Sequence, residues 1–286
     1  MRLFVVLLLS AQLSGCGKTS QATSPELGWL KQKTLDSLVY VEGGRFKMGD
    51  AGYVDENGHH HYYNHASDDK VVRDVTLTSF HIQKYEITLK ELDLYTSAKN
   101  LNLIAKNRRH RKHYAPNYPA SGMTWQEARA YCQWVGGLTN LPIDLPTEAQ
   151  WEYAARSRGL DVAYATDNGK FERGRNVSDP SVVGFSTVPP GSWPPNPLGL
   201  YDMTNNVTEW VLDWYLSRYP YEDETNPTGP SEKMVDEYGI EKKVTRGFAM
   251  GGETNVLYAR LEFKPDNTGA GAGIRCVANV SEPIHK

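Results

Sequence analysis

Asn196-Pro-Leu-Gly-Leu-Tyr-Asp-Met-Thr-Asn-Asn-Val-Thr-Glu-Trp-Val-Leu-Asp-Trp214 is the stretch on which the reading of this chain turns. It lies in the long segment after Arg158, where helical periodicity fades and Gly, Pro and aromatics dominate. Three further stretches flank it. Val41-Glu-Gly-Gly-Arg-Phe-Lys-Met-Gly49 stands far upstream. Met123-Thr-Trp-Gln-Glu-Ala-Arg-Ala-Tyr-Cys-Gln-Trp134 runs into Leu145-Pro-Thr-Glu-Ala-Gln-Trp-Glu-Tyr-Ala-Ala-Arg156. Downstream, Val244-Thr-Arg-Gly247 is followed by Gly273-Ile-Arg-Cys276.

Around these stretches the local signals are short. Leu38-Val39-Tyr40-Val41 and Arg45-Phe46-Lys47-Met48 read as strands closed by Gly-rich turns, and Val71 to Phe80 alternates as a half-buried strand. Three capping boxes announce helices. Thr88-Leu-Lys-Glu91 opens one running to about Lys99, and Thr124-Trp-Gln-Glu127 opens a second that should stop at Gly136-Gly137. Thr147-Glu-Ala-Gln150, behind Pro146, opens a third ending near Gly159. Ala128, Tyr131, Cys132 and Val135 share one face of the second helix, which turns Cys132 to the core.

Composition bounds the function. A chain of 286 residues, 40% hydrophobic and 23% charged, affords a sizeable core as one large domain or two ordinary ones. Thirty-one basic residues against 34 acidic ones give a net charge of −3, which argues against a nucleic-acid partner. Three cysteines exclude a disulfide-dense scaffold and a four-thiolate zinc site, and their odd number needs explaining. With 17 Tyr, 7 Trp, 25 Gly and 16 Pro, the mix suits a loop-rich fold pinned by large side chains.

The N-terminus carries an address. Met1-Arg2 precedes the apolar run Leu3 to Leu9, too short to span a bilayer, so residues 1–15 read as a signal peptide. Leu13-Ser14-Gly15-Cys16 resembles a bacterial lipobox, which implies cleavage before Cys16 and acylation of that residue; an ordinary secretory signal is the alternative. Gly17, where an Asp would direct retention, favours the outer membrane. Residues 16–37 are expected to be lipidated N-terminus and tether, and 38–280 the folded domain.

In this order the four quoted stretches resemble the sulfatase-modifying factor family, whose namesake is the formylglycine-generating enzyme. The resemblance implies a single C-type-lectin-like α+β domain with little regular secondary structure. It implies a disulfide between Cys132 and Cys276, which an exported location permits. It also implies a structural calcium site at Asp202, Asn205, Val207 and Glu209, oxygen donors suited to a hard cation. A turn without an ion, its acids capping neighbouring amides, is the other reading. A second calcium site would use Asn176 and Val177, but Val183 stands near where the family has a carboxylate and Asp179 is the closest substitute.

The family enzyme binds Cu(I) through two cysteines five apart, because soft thiolates select that metal. Counted from Arg246, those positions here are Gly252 and Leu257, so no copper and no formylglycine generation are expected. The groove above them would be lined by Arg246, Met250, Gly252, Glu253, Asn255, Tyr258 and Arg260. Two functions compete. One is a catalytically silent scaffold or regulatory module, held by lipidated Cys16 on the periplasmic side of the envelope and engaging a protein partner. Family members of that kind include lipoproteins of gliding and type IX secretion and the type VI secretion regulator TagR. The other is a periplasmic oxidoreductase resembling PvdO, acting on a siderophore precursor or other small molecule, with Glu253 as base. His59, His60, His61 and His65 with Asp68 and Asp69 read as a solvated loop sooner than an adventitious zinc or nickel cluster, and the basic run Arg108 to His113 likewise as a solvated loop.

Overall fold

Among the described residues, the four long helices each start at a threonine whose partner three residues on reaches back to it. The computed structural model describes residues 22–284, apart from 65, 67, 103–114, 180, 182–185, 218–223, 231–234, 236–237, 248–255 and 269–270. Within it, α2 (Leu89–Ala98) begins where the Thr88 amide donates to Glu91 Oε2 at 2.8 Å. In α3 (Trp125–Thr139) the exchange is reciprocal: the Thr124 amide donates to Glu127 Oε2 at 2.9 Å and the Glu127 amide to Thr124 Oγ1 at 3.2 Å. Helix α4 (Glu148–Ala155) repeats it between Thr147 and Gln150 at 3.0 and 3.1 Å. These bonds satisfy amides that a helix start otherwise leaves open.

Two expectations need correction. Residues 24–37 are not tether: Ser24–Ser37 form a helix, α1, that buries Leu30, Thr34 and Ser37, and Lys33 bonds Glu91 of α2 at 2.7 Å. The chain upstream of residue 22, with Cys16, lies outside the described residues. Helix α3 also runs through Gly136-Gly137 to Thr139 and ends on Asn140 in the left-handed conformation. Gly136 sits inside it because the Leu141 carbonyl passes 2.8 Å from where a Cβ would stand. Here glycine marks a close approach and not a stop.

The strands are short and shared among several sheets. Strands β1 (Leu38–Val41), β6 (Phe80–Gln83), β12 (Val277–Ala278) and β7 (Ile143–Asp144) lie side by side in that order, all antiparallel. A second sheet orders β11 (Leu261–Phe263), β10 (Lys243–Arg246) and β8 (Glu209–Trp214). A third orders β2 (Gly44–Met48), β5 (Arg73–Leu77) and β9 (Glu224–Thr225). The exposed hairpin of β3 (Tyr53–Val54) and β4 (His60–His61) stands alone. The fold is therefore a mixed α+β domain with low regular content, as the sequence implied.

Two apolar cores divide these elements. One packs Leu92 and Tyr95 of α2 against Tyr131, Cys132 and Val135 of α3, with Trp210 and Ile274 beneath. The other packs Phe46, Val75 and Phe80 against Trp151 and Tyr153 of α4, with Val211 and Val244. Cys132 and Cys276 are bonded, joining α3 to the residue before β12 across 144 residues. Closing so long a loop restrains the unfolded chain by roughly 2–5 kcal/mol.

Candidate functional site

Helix α4 presents Glu148 and Glu152 on one face, because residues four apart stack on a helix. Strand β10 ends at Arg246 directly opposite. Its Nη1 donates to Glu148 Oε1 and its Nη2 to Glu152 Oε2, both at 2.8 Å, and Nη2 also donates to the Leu257 carbonyl at 2.9 Å. Arg260 clamps the same Glu148 with Nε to Oε1 at 2.7 Å and Nη2 to Oε2 at 3.1 Å. Arg156 and the Gly49 amide complete Glu152 at 3.0 and 2.9 Å. Asp213 of β8 accepts the Glu148 amide at 2.8 Å and caps α4, and burial, with the Glu148 charge adding, pushes its carboxyl up to about 7. The side chains of Arg246 and Glu148 are wholly buried, so each charge survives only because it is paired.

This assembly holds two of the residues expected to line the groove, Arg246 and Arg260. Arg246, Tyr258 and Arg260 come together there, but none offers a solvent-facing side chain. Tyr258 is 1% exposed, with the Arg156 guanidinium 5.0 Å over its ring. Leu257, expected at the second copper position, is equally buried. Met250, Gly252, Glu253 and Asn255 lie outside the described residues. A cavity of about 10 Å³ opens among Asp68, Asp69, Arg73, Glu152, Arg246 and Arg260. That is room for about one water. Asp69 Oδ1 and Arg246 Nε, on two of its lining residues, are buried without a protein partner, and burial pushes the Asp69 carboxyl up to about 6.

A second ionic cluster lies on the other side of Trp151, whose Nε1 donates to Glu209 Oε2 at 2.7 Å. Arg275 grips both oxygens of Glu209 at 2.8–3.0 Å and donates to the carbonyls of Gln83 and Tyr201. Glu86 is buried beside them, accepting from the Val207 amide at 3.2 Å and from Asn206 Nδ2 at 2.5 Å. Asp202 and Asn206 hold positive φ, 61° and 78°, which Asp and Asn tolerate better than most residues. Asp202 Oδ2 accepts from the Gly191 amide at 2.7 Å, but Asp202 Oδ1 and Asn205 Oδ1 are buried with no partner. Burial pushes Asp202 up to about 6 and raises Glu86 well above the carboxylate range, with neighbouring acids adding.

The chemistry of this donor set fits a hard cation in part. Two orphaned buried oxygens, on Asp202 and Asn205, lie beside a surplus of carboxylate. The Glu209 carboxylate, expected as a ligand, is instead taken by Arg275 and Trp151. Glu86 had no local signal in the sequence. The residues named for a second ion are satisfied within their own turn: Asn176 Oδ1 accepts the Glu172 amide at 2.9 Å and the Val177 carbonyl accepts the Gly174 amide at 2.9 Å. Asp179 accepts from Ser181 through both its amide and hydroxyl.

The histidine segment is the exposed hairpin, with His61 Nε2 at 2.9 Å from Asp55 Oδ2 and His59 Nδ1 at 3.5 Å from the same atom. Among the described residues, no three His, Cys, Asp or Glu side chains gather to hold a metal. His65 and the Arg108–His113 run lie outside the described residues.

With this geometry in place, residues 23–280 match the sulfatase-modifying factor enzyme 1-like domain. The chain belongs to that family. Mouse formylglycine-generating enzyme is 30% identical over 179 residues, 57% of this chain and 45% of that one. Its counterpart from Thermomonospora curvata is 33% identical over 184 residues, covering 57% and 56%. A serine/threonine-protein kinase pkn1 of Chlamydia pneumoniae is 30% identical over 262 residues, 87% of this chain but 39% of the kinase. This chain thus spans about half or less of each of these three relatives. Among solved structures, PvdO from Pseudomonas aeruginosa superposes with a TM-score of 0.67 at 26% identity, covering 85% of this chain and 94% of its own.

Proposed function

We propose that this family member is an envelope-anchored binding module, lipidated at Cys16 and facing the periplasm, whose groove engages a protein partner and does not generate formylglycine. One observation supports this most. The family resemblance assigns the copper positions to Gly252 and Leu257, neither a thiol, and Arg246 and Arg260 are held by Glu148 and Glu152 around a one-water cavity. Every cysteine has another use: Cys132 and Cys276 are bonded, and Cys16 is the acylation site in this reading. Lipid anchoring favours a scaffold or sensor over a small-molecule enzyme, because a tether raises local concentration for a partner. A regulatory role in a secretion system, of the TagR kind, is the leading form of this proposal, with the outer membrane as its site. Asp202, Asn205 and the Val207 carbonyl would hold a calcium ion as a structural brace.

The likeness to PvdO favours a second reading, a periplasmic oxidoreductase with Glu253 as base. Capture of the lipidated chain's partner from envelopes, with two variants, separates them. A binding module loses its partner on Met250→Arg and keeps it on Glu253→Ala. An oxidoreductase shows oxygen consumption with a small-molecule substrate that Glu253→Ala abolishes.

A further inference from the structure

The anchor proposed above sits very close to the folded domain. Cys16 is seven residues before Thr23, where α1 is capped. Even fully extended, that length spans only about 25 Å. A chain acylated at Cys16 therefore cannot tumble freely above the bilayer, and the start of α1 must stay near the headgroups.

The surface of α1 that this brings to the membrane has a distinct chemistry. The helix packs on α3, α2 and β6, burying Leu30, Thr34 and Ser37. Its other side carries Trp29, an indole 39% exposed on a helix surface. The Lys90 ammonium lies 3.9 Å from the Trp29 ring centroid and that of Lys33 5.4 Å. Ser24, Pro25 and Gly28 beside it are small and exposed, and a Cβ on Gly28 would meet nothing within 4 Å. An indole flanked by lysine stems, with no bulk next to it, has the composition of an interfacial anchor: the ring sits among headgroups while the ammonium groups stay in water. Charge contributes little, because Glu26 and Asp36 share the face with Lys33 and Lys90, and Lys33 is already paired with Glu91 at 2.7 Å.

Resting on the lipidation reading, we infer that α1 is a membrane-contact helix that seats Trp29 in the phospholipid headgroup layer and fixes the orientation of the domain. The lipid chain and the indole form a two-point attachment. It turns the Trp29 edge of α1 toward the bilayer and the edge carrying Lys31, two residues and about 200° round the helix, away from it.

The test uses the full lipidated chain reconstituted into vesicles of phosphatidylethanolamine and phosphatidylglycerol. With Cys132 and Cys276 bonded and Cys16 acylated, Asp36→Cys, seven residues from Trp29 on the same face, or Lys31→Cys, on the opposite edge, supplies a single thiol for a fluorophore, read with a headgroup-linked quencher lipid. Quenching should be stronger at residue 36 than at 31, although 31 is nearer the anchor. Trp29→Ala with Lys90→Glu should bring residue 36 down to the level of 31, with palmitate incorporation and thermal midpoint unchanged. Because the attachment is apolar, raising the salt should leave the difference in place. Equal quenching at both positions in a palmitate-labelled chain would overturn the contact and leave the anchor standing. Absence of palmitate label would remove the anchor and the contact together.

Discussion

The two buried ionic clusters differ in their charge balance. In the first, Glu148 and Glu152 meet Arg246, Arg260 and Arg156, so each carboxylate faces at least one guanidinium at hydrogen-bond distance. On the far side of Trp151, Glu86, Asp202 and Glu209 surround Arg275, which pairs fully with Glu209 alone. The first cluster is closed by its own counter-ions. The second carries more negative charge than its arginine can neutralise, and leaves buried oxygens on Asp202 and Asn205 unsatisfied. The first site has the balance of a structural clamp. The second is where the proposed calcium ion would find unsatisfied oxygens.

The largest effect should come from removing the arginines. Arg275→Met and Arg246→Met each strand buried carboxylates, at a cost of about 3–5 kcal/mol. The comparison predicts that calcium partly restores the urea midpoint of Arg275→Met and does nothing for Arg246→Met. Equal rescue of both, or of neither, would break the distinction.

Calcium itself should act next. At about 100 times its dissociation constant, an ion bound only by the folded state adds about 2.7 kcal/mol. Chelation should lower the melting temperature, and Asp202→Asn should abolish that response. An unchanged calcium response in Asp202→Asn would place the ion elsewhere.

A smaller effect lies in pH. The folded-state carboxyls of Asp202 and Asp69 are raised to about 6, above the ordinary value of 3.8, so the folded state binds more protons between these values. Stability from these groups therefore falls as pH rises through that window and recovers as it is lowered. In calcium-free buffer, Asp202→Asn should flatten the slope of unfolding free energy between about pH 4 and 7, leaving the shares of Asp69, Asp213 and Glu86. A slope of opposite sign would contradict the assigned cause, which is burial.

What the sequence revealed follows from the range over which its signals act. The threonine caps of α2, α3 and α4 are complete within four residues, and all three helices begin where those signals stand. Helix α1 carries the same signal, Thr23-Ser-Pro-Glu26, but buries so little apolar surface that the segment reads as tether. Gly136 looks like a helix terminator because its reason, the Leu141 carbonyl, is a packing contact. The groove arginines look available because Glu148 lies 98 residues from Arg246 and 112 from Arg260, and no local pattern announces such a pairing. Glu86 is silent for the same cause: its cluster gathers residues 120 apart in the chain. The Cys132–Cys276 bond became legible only through the family resemblance, which supplied the long-range pairing that spacing could not.

The proposed function rests on the absence of copper chemistry beside the clamped arginines Arg246 and Arg260. Titration of Cu(I) into the purified chain, against a competing chromogenic chelator, tests it most directly. The expected result is no withdrawal of copper from the chelator by the protein and no aldehyde formed in a cysteine-containing sulfatase peptide. Stoichiometric uptake of Cu(I) with oxidation of that peptide would contradict the account.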